Sequence, residues 1–307
     1  MIDYEGQICR APMERSAYKL PVMVGCCYNR CKFCDLFKHL RFRLISLEEI
    51  EDDLLRVYNA GGKPRKIFLG DGSAFALDTD HILRILELIH KYFPDCSEIN
   101  MNATVKSILA KTDDELRALY DNGVRHLYIG LESGLEDVLG FMDKGNTAAE
   151  AREAVGRMNE FGFLFDAHIM TGVAGKGRGN ENAEATARFL TEMNASSATN
   201  FSMFIHHDVP LYQEMKEGRF IPASEYDNLL EDRRLIERLS DALEQSGHSM
   251  KYEGFHDFIA VHVWGTLPAD RDRILARLDN AIREYEGKQD ILAVIDPGST
   301  FTIQSAY

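Results

Sequence analysis

Short apolar runs alternate with helix-like stretches from about residue 20 to about residue 245. The runs are Leu20–Val24, Ile67–Leu69, Glu98–Ala103, His126–Leu131, Phe163–Met170 and Thr199–Ile205. Each is short and bounded by polar residues or glycine, the pattern of strands buried on both faces. Between them the apolar positions move to helical spacing. Ile82, Ile85, Leu86 and Ile89 line one face of a helix over His81–His90. Ser46 with Glu49, and Thr112 with Glu115, have the spacing of a capping box. There the hydroxyl and the carboxylate each accept a free backbone N–H at a helix start. Thr147–Phe161 and Glu181–Asn194 read as further helices. Gly61, Gly62, Gly123 and Gly162 stand where helices should stop.

Six β-α units in succession predict an α/β fold with a parallel sheet and helices outside it. Such sheets place their chemistry at the C-terminal ends of the strands. The expected organisation is an N-terminal extension over 1–19, a core over 20–245 and a small C-terminal α/β extension over 246–307. That extension should hold a strand near Phe258–Trp264, a helix near Asp270–Glu286 and a strand near Ile291–Ile295.

Composition changes this picture little: 45% hydrophobic and 27% charged residues are ordinary for a globular chain. Charge changes it more. A net charge of −14 repels phosphate backbones, and the basic groups Lys38–Arg43 and Lys63–Lys66 are short. This argues against nucleic acid as a partner. No apolar run reaches the roughly 18 residues of a membrane span, and Met1–Ser16 has no apolar signal core. A cytoplasmic location without membrane contact is the expectation.

Four of the six cysteines, Cys26, Cys27, Cys31 and Cys34, fall within nine residues. In a reducing compartment such crowding points to a metal site. Cys27, Cys31 and Cys34 form C-x3-C-x2-C where the first strand ends. Three thiolates suit an iron–sulfur cluster and leave one iron open for chemistry. A closed zinc site with Cys26 as fourth ligand competes, although adjacent side chains diverge on an extended strand end. Cys9 and Cys96 stand alone and read as core thiols.

The cysteine pattern, with Phe33 just before its last member, resembles the radical S-adenosylmethionine (SAM) superfamily. The resemblance covers residues 20–235 and is nearest the methylthiotransferase and oxygen-independent coproporphyrinogen oxidase-like branch. It implies a partial (β/α)6 TIM-like barrel and an oxygen-sensitive [4Fe–4S] cluster on Cys27, Cys31 and Cys34. SAM would chelate the open iron and, on one-electron reduction, yield a 5′-deoxyadenosyl radical that abstracts hydrogen from substrate. An electron donor such as flavodoxin or ferredoxin would be its partner.

Later segments extend the resemblance. Gly70, Asp71 and Gly72 stand where the family has Gly-Gly-Glu, whose backbone meets the methionine amino group; two of the three family positions are changed. Ile129–Gly134 resembles a G-x-E-S segment and implies a ribose contact from Glu132, with Ser133 beside it. A strand-end carboxylate serves the same purpose in dinucleotide sites. His168–Gly172 resembles the adenine-holding stretch, with Ile169 and Gly172 matching and Ala167 replacing a glycine. Asn102, at the third strand end, is a candidate SAM contact. His206 and His207, with Asp208, are candidate substrate contacts or a second metal site. Lys144 and Arg152 are candidates for a substrate or SAM carboxylate. The glycine-rich Gly172–Gly179 lacks the G-K-[ST] ending of a phosphate loop.

The leading expectation is an enzyme acting on a small molecule or peptide. RNA modification and an Fe–S electron carrier or sensor are the alternatives. No cysteine follows Cys96, so an auxiliary cluster is not expected.

Overall fold

The structure, a computed structural model, describes residues 5, 10–288 and 291–297. Cys9 lies outside the described residues. Eight strands belong to one sheet. They are β1 (Tyr18–Pro21), β2 (Lys66–Gly70), β3 (Glu98–Ala103), β4 (Val124–Glu132), β5 (Leu164–Thr171), β6 (Ser197–Ser202), β7 (Met250–His256) and β8 (Val261–Leu267). The principal helices are α1 (Leu47–Asn59), α2 (Thr79–Tyr92), α3 (Asp113–Asp121), α4 (Ala148–Phe161), α5 (Gly179–Glu192), α6 (Glu225–Ser246) and α7 (Arg271–Tyr285). The fold is α/β, as the alternation of runs predicts.

The chain divides into two compact units. One holds 1–29, 36–129 and 153–165; the other holds 30–35, 130–152 and 166–307. In the first, β1 pairs in parallel with β2, β2 with β3, and β3 with β4. Their centres are apolar and fully buried: Leu20, Ile67, Phe68, Ile99 and Met101. α2 buries its predicted stripe, with Ile82, Ile85, Leu86 and Ile89 all at 0% exposure. Both expected capping boxes form. Glu49 N–H donates to Ser46 Oγ at 3.2 Å, and Glu115 N–H to Thr112 Oγ1 at 3.3 Å.

In the second unit, β5, β6 and β7 are parallel and β8 runs antiparallel to β7. Here the expected boundary at residue 245 meets a different arrangement. Met250–His256, which the apolar pattern does not predict, joins β6 directly, so the segment after 245 supplies two strands of the main sheet. The expected strand near Phe258 begins at Val261, after a 3-10 turn over Asp257–Ile259. The expected sixth strand ends at Ser202, and a separate bridge, Ile205–His206, pairs with Val294–Ile295. The first run likewise splits into β1 and Met23–Val24, the latter paired with Arg43–Leu44.

Candidate functional site

In the first unit, the start of the cysteine loop lies against the segment after β2. Gly72 adopts φ +46°, and a Cβ there would collide with the Gly25 carbonyl and come 2.9 Å from Cys26 Cα. Only glycine permits this approach. Asp71 is buried and paired with Lys19, Oδ1 to Nζ at 2.7 Å. That pairing accounts for Asp71 where the family pattern has glycine. The carboxylate is an internal anchor, engaged by Lys19. Gly70 clears the path of Lys19, whose Cε would lie 2.5 Å from an added Cβ. Ser73 donates to the Asn102 carbonyl at 3.4 Å, which ties the segment to the end of β3. Cys27 is solvent-exposed, and a hydrogen bond with Cys26 raises its thiol pKa.

The second unit holds Cys31, Phe33 and Cys34 together with the end of β4. Glu132 is 8% exposed, has a left-handed φ of +62°, and accepts a hydrogen bond from Lys144 Nζ at 2.8 Å. The Lys144 ammonium also lies 5.9 Å from the Phe33 ring centroid. Burial disfavours that charge. Glu132 and then Cys31, Glu132's hydrogen bond and Cys34 more than offset it, holding the Lys144 pKa above its ordinary value. An added Cβ at Gly130 would strike Glu132 Oε1 and sit 2.7 Å from Lys144 Nζ. That glycine therefore makes room for the pair.

Ser133 and Gly172 meet in one buried network. Ser133 Oγ donates to Asn182 Oδ1 at 2.5 Å, and Asn182 Nδ2 donates to Glu231 Oε1 at 2.6 Å. Glu231 Oε2 accepts the Gly172 N–H at 3.0 Å. Burial pushes the Glu231 carboxyl up to about 7, against the Asn182 and Gly172 hydrogen bonds that lower it. Ile169 is buried on β5. Asn182 and Glu231 belong to no motif, so the sequence reading passed over them. The available signal was polar residues on an apolar stripe: Asn228, Glu231 and Asp232 share the buried face of α6 with Leu235, Ile236 and Leu239.

The other candidates make contacts of their own. Arg152 makes an exposed ion pair with Glu192, Nε to Oε2 at 2.7 Å, and packs over Phe189. His206, His207 and Asp208 form their own cluster at the Ile205–His206 bridge. A cavity of about 430 Å³ is lined by Val138, Phe141, Val173 and Phe220, with Lys176 and Arg178 among its polar members. Its size is that of a small-molecule site.

The donor set fits a cluster. Among the described residues Cys26, Cys27, Cys31, Cys34 and Cys96 take part in no disulfide. The part-buried Lys144 ammonium, held near Cys31 and Cys34, is suited to balance thiolate charge.

Comparison with known proteins agrees. The family description "Radical SAM superfamily" matches residues 21–190, more than half of the chain. Among curated proteins, the chain is 26% identical over 201 residues to an anaerobic magnesium-protoporphyrin IX monomethyl ester cyclase of Cereibacter sphaeroides. That match covers 64% of this chain and 32% of the relative. It is 20% identical over 220 residues to the heme chaperone HemW of Bacillus subtilis, covering 69% of this chain and 57% of that protein. The chain thus spans about a third and just over half of these relatives' lengths. Among solved structures, coproporphyrinogen III oxidase (HemN) from Escherichia coli aligns with a TM-score of 0.53 at 16% identity. The alignment covers 75% of this chain and 52% of that one, a likeness of fold.

Proposed function

Since this chain belongs to the radical SAM superfamily, whose enzymes use a [4Fe–4S] cluster and SAM, we propose that it cleaves SAM reductively and abstracts hydrogen from a small-molecule or peptide substrate. Cys27, Cys31 and Cys34 would hold the cluster. Bound together, cluster and SAM supply one-electron cleavage of the S–C5′ bond and a carbon radical. The carrying observation is the part-buried Glu132–Lys144 pair beside Cys31 and Cys34. It puts a hydrogen-bonding carboxylate and a balancing cation next to two of the three thiols.

The chain's own residues divide the remaining work. Lys144 offsets thiolate charge and holds Glu132. Glu132 accepts hydrogen bonds from the ribose hydroxyls. The Gly70–Ser73 backbone receives the methionine amino group, and Ile169 with Gly172 supports adenine. Asn182 and Glu231 hold the Ser133 and Gly172 segments in register with one another. The 430 Å³ cavity, with Val138, Phe141, Val173 and Phe220 beside Lys176 in its lining, suits a substrate with an apolar body and an acidic group. A small flavin or iron–sulfur protein would deliver the electron.

The test is anaerobic reconstitution with iron and sulfide, reduction with dithionite, addition of SAM and chromatography for 5′-deoxyadenosine. Its formation, lost in Cys31→Ala, supports the proposal. A loaded cluster that yields none, even with candidate substrates, favours an electron carrier or sensor. Zinc bound in place of iron would sink it. The relatives' names make a tetrapyrrole one substrate class to include.

A further inference from the structure

A second set of metal-type donors lies outside the cysteine loop and wholly within the second unit. Successive side chains on an extended strand point to opposite faces. At His206 and His207 the chain turns instead, and the two imidazole centroids come within 4.3 Å. One donor atom from each of His206, His207 and Asp208 lies within 4.8 Å of the others. His206 Nδ1 is 3.5 Å from Asp208 Oδ2, and His207 Nε2 is 3.2 Å from Asp208 Oδ1. Neighbouring ligands of a tetrahedral ion with bonds of about 2.05 Å stand about 3.3 Å apart.

Hydrogen bonds set which atoms carry lone pairs. A carbonyl only accepts, so His207 Nδ1 donates to the Ile295 carbonyl at 3.3 Å and leaves Nε2 unprotonated in the neutral ring. His206 Nδ1 accepts the Asp208 backbone N–H, a bond long enough at 3.3 Å for an incoming ion to displace. The Asp208 carboxylate is an acceptor as well. Three acceptors crowded together repel unless a proton or a cation stands among them. A histidine held by a backbone carbonyl on one nitrogen and free on the other is the usual second shell of a bound metal. The turn is anchored for this task. Ile205 N–H donates to the Ala293 carbonyl at 2.8 Å, and His207 N–H to the Ile295 carbonyl at 3.0 Å.

We propose that His206, His207 and Asp208 bind a divalent first-row transition-metal ion, zinc in the first instance. Two imidazoles and a carboxylate match that class of ion, and three protein ligands leave a position open to water or a substrate oxygen. The proposed site takes no ligand from the cysteine loop and does not rest on the radical SAM reading.

The test is zinc content. Cluster-loaded protein is equilibrated with zinc, dialysed, and measured for zinc and iron per chain. One zinc ion beyond the cluster is expected. His207→Ala and Asp208→Asn should each weaken zinc binding by about tenfold or more, with iron per chain unchanged. Asp208 is 66% exposed at its side chain, so Asp208→Asn carries the test if His207→Ala does not fold. If no cluster loads, cobalt(II) substitution replaces the iron control. Weak visible bands without thiolate charge transfer, lost in Asp208→Asn, would place the ion on nitrogen and oxygen. Wild-type protein that retains no zinc, or variants that retain as much as wild type, would overturn the proposal.

Discussion

Lys144 is largely withdrawn from solvent, its side chain 13% exposed, beside a carboxylate and two thiols, so removing one partner strands the other. Lys144→Met should cost about 3 kcal/mol in urea unfolding, the typical effect of breaking a buried pair. The double change with Glu132→Gln should recover much of that loss. A Lys144→Met protein as stable as wild type would show that the pair is not buried in solution. Glu132→Gln in reconstituted protein should weaken SAM binding by about tenfold, as loss of a charge-assisted hydrogen bond would, without lowering iron content. Unchanged SAM affinity would refute the ribose role. Cys31→Ala should lose the cluster, whereas Cys96→Ala, at a buried position, should keep it; iron and sulfide analysis decides both. These residues were legible to different degrees. The cysteines and Glu132 announce themselves by spacing at strand ends. The partner of Glu132 does not, because Lys144 returns to it only after the short helix Glu136–Phe141. Asp71 departs from the family motif in sequence, and its pairing with Lys19, distant in the chain, is the reason.

Helices and strands differ in how openly they declare themselves. α1 and α3 begin at hydroxyl–carboxylate boxes readable from four residues, and Thr112→Ala should cost about 1 kcal/mol of stability in denaturant. β7 reads as polar because Lys251, Glu253 and His256 interrupt it, yet His256 is fully buried against Asp232 on α6, Nε2 to Oδ2 at 3.0 Å. Its partner sits on another element, beyond the reach of a periodicity argument. The same helix carries Glu231, whose folded pKa is raised from 4.5 to about 7. The sign follows from linkage. The protonated carboxyl favours the folded state fully below pH 4.5, and that contribution is lost as pH rises through about 7. Glu231→Gln should therefore flatten the fall in stability between about pH 5 and about pH 8. Urea midpoints at the two pH values that fall equally in both proteins would contradict this.

Across the whole molecule, charge is the most informative property available from composition. At −14, the chain should not retain transfer RNA in a gel-shift assay at low salt; tight, salt-sensitive retention would revive the RNA-modifying alternative. Among the described residues no helix is long and apolar enough to cross a membrane. The parallel α/β architecture was legible because buried strands and amphipathic helices alternate with different periods. The substrate was not, because the groups at strand ends that would select it lie on turns whose approach depends on distant packing.

Gly72 shows one result of such packing. Its bare α-carbon lets the Gly70–Ser73 segment rest on Gly25 and Cys26 through backbone alone. The entrance to the cysteine loop is thus propped by polypeptide, from the neighbouring strand end rather than from within the loop. A single methyl at position 72 would act as a wedge, lifting the loop from its support without removing any thiol from the chain.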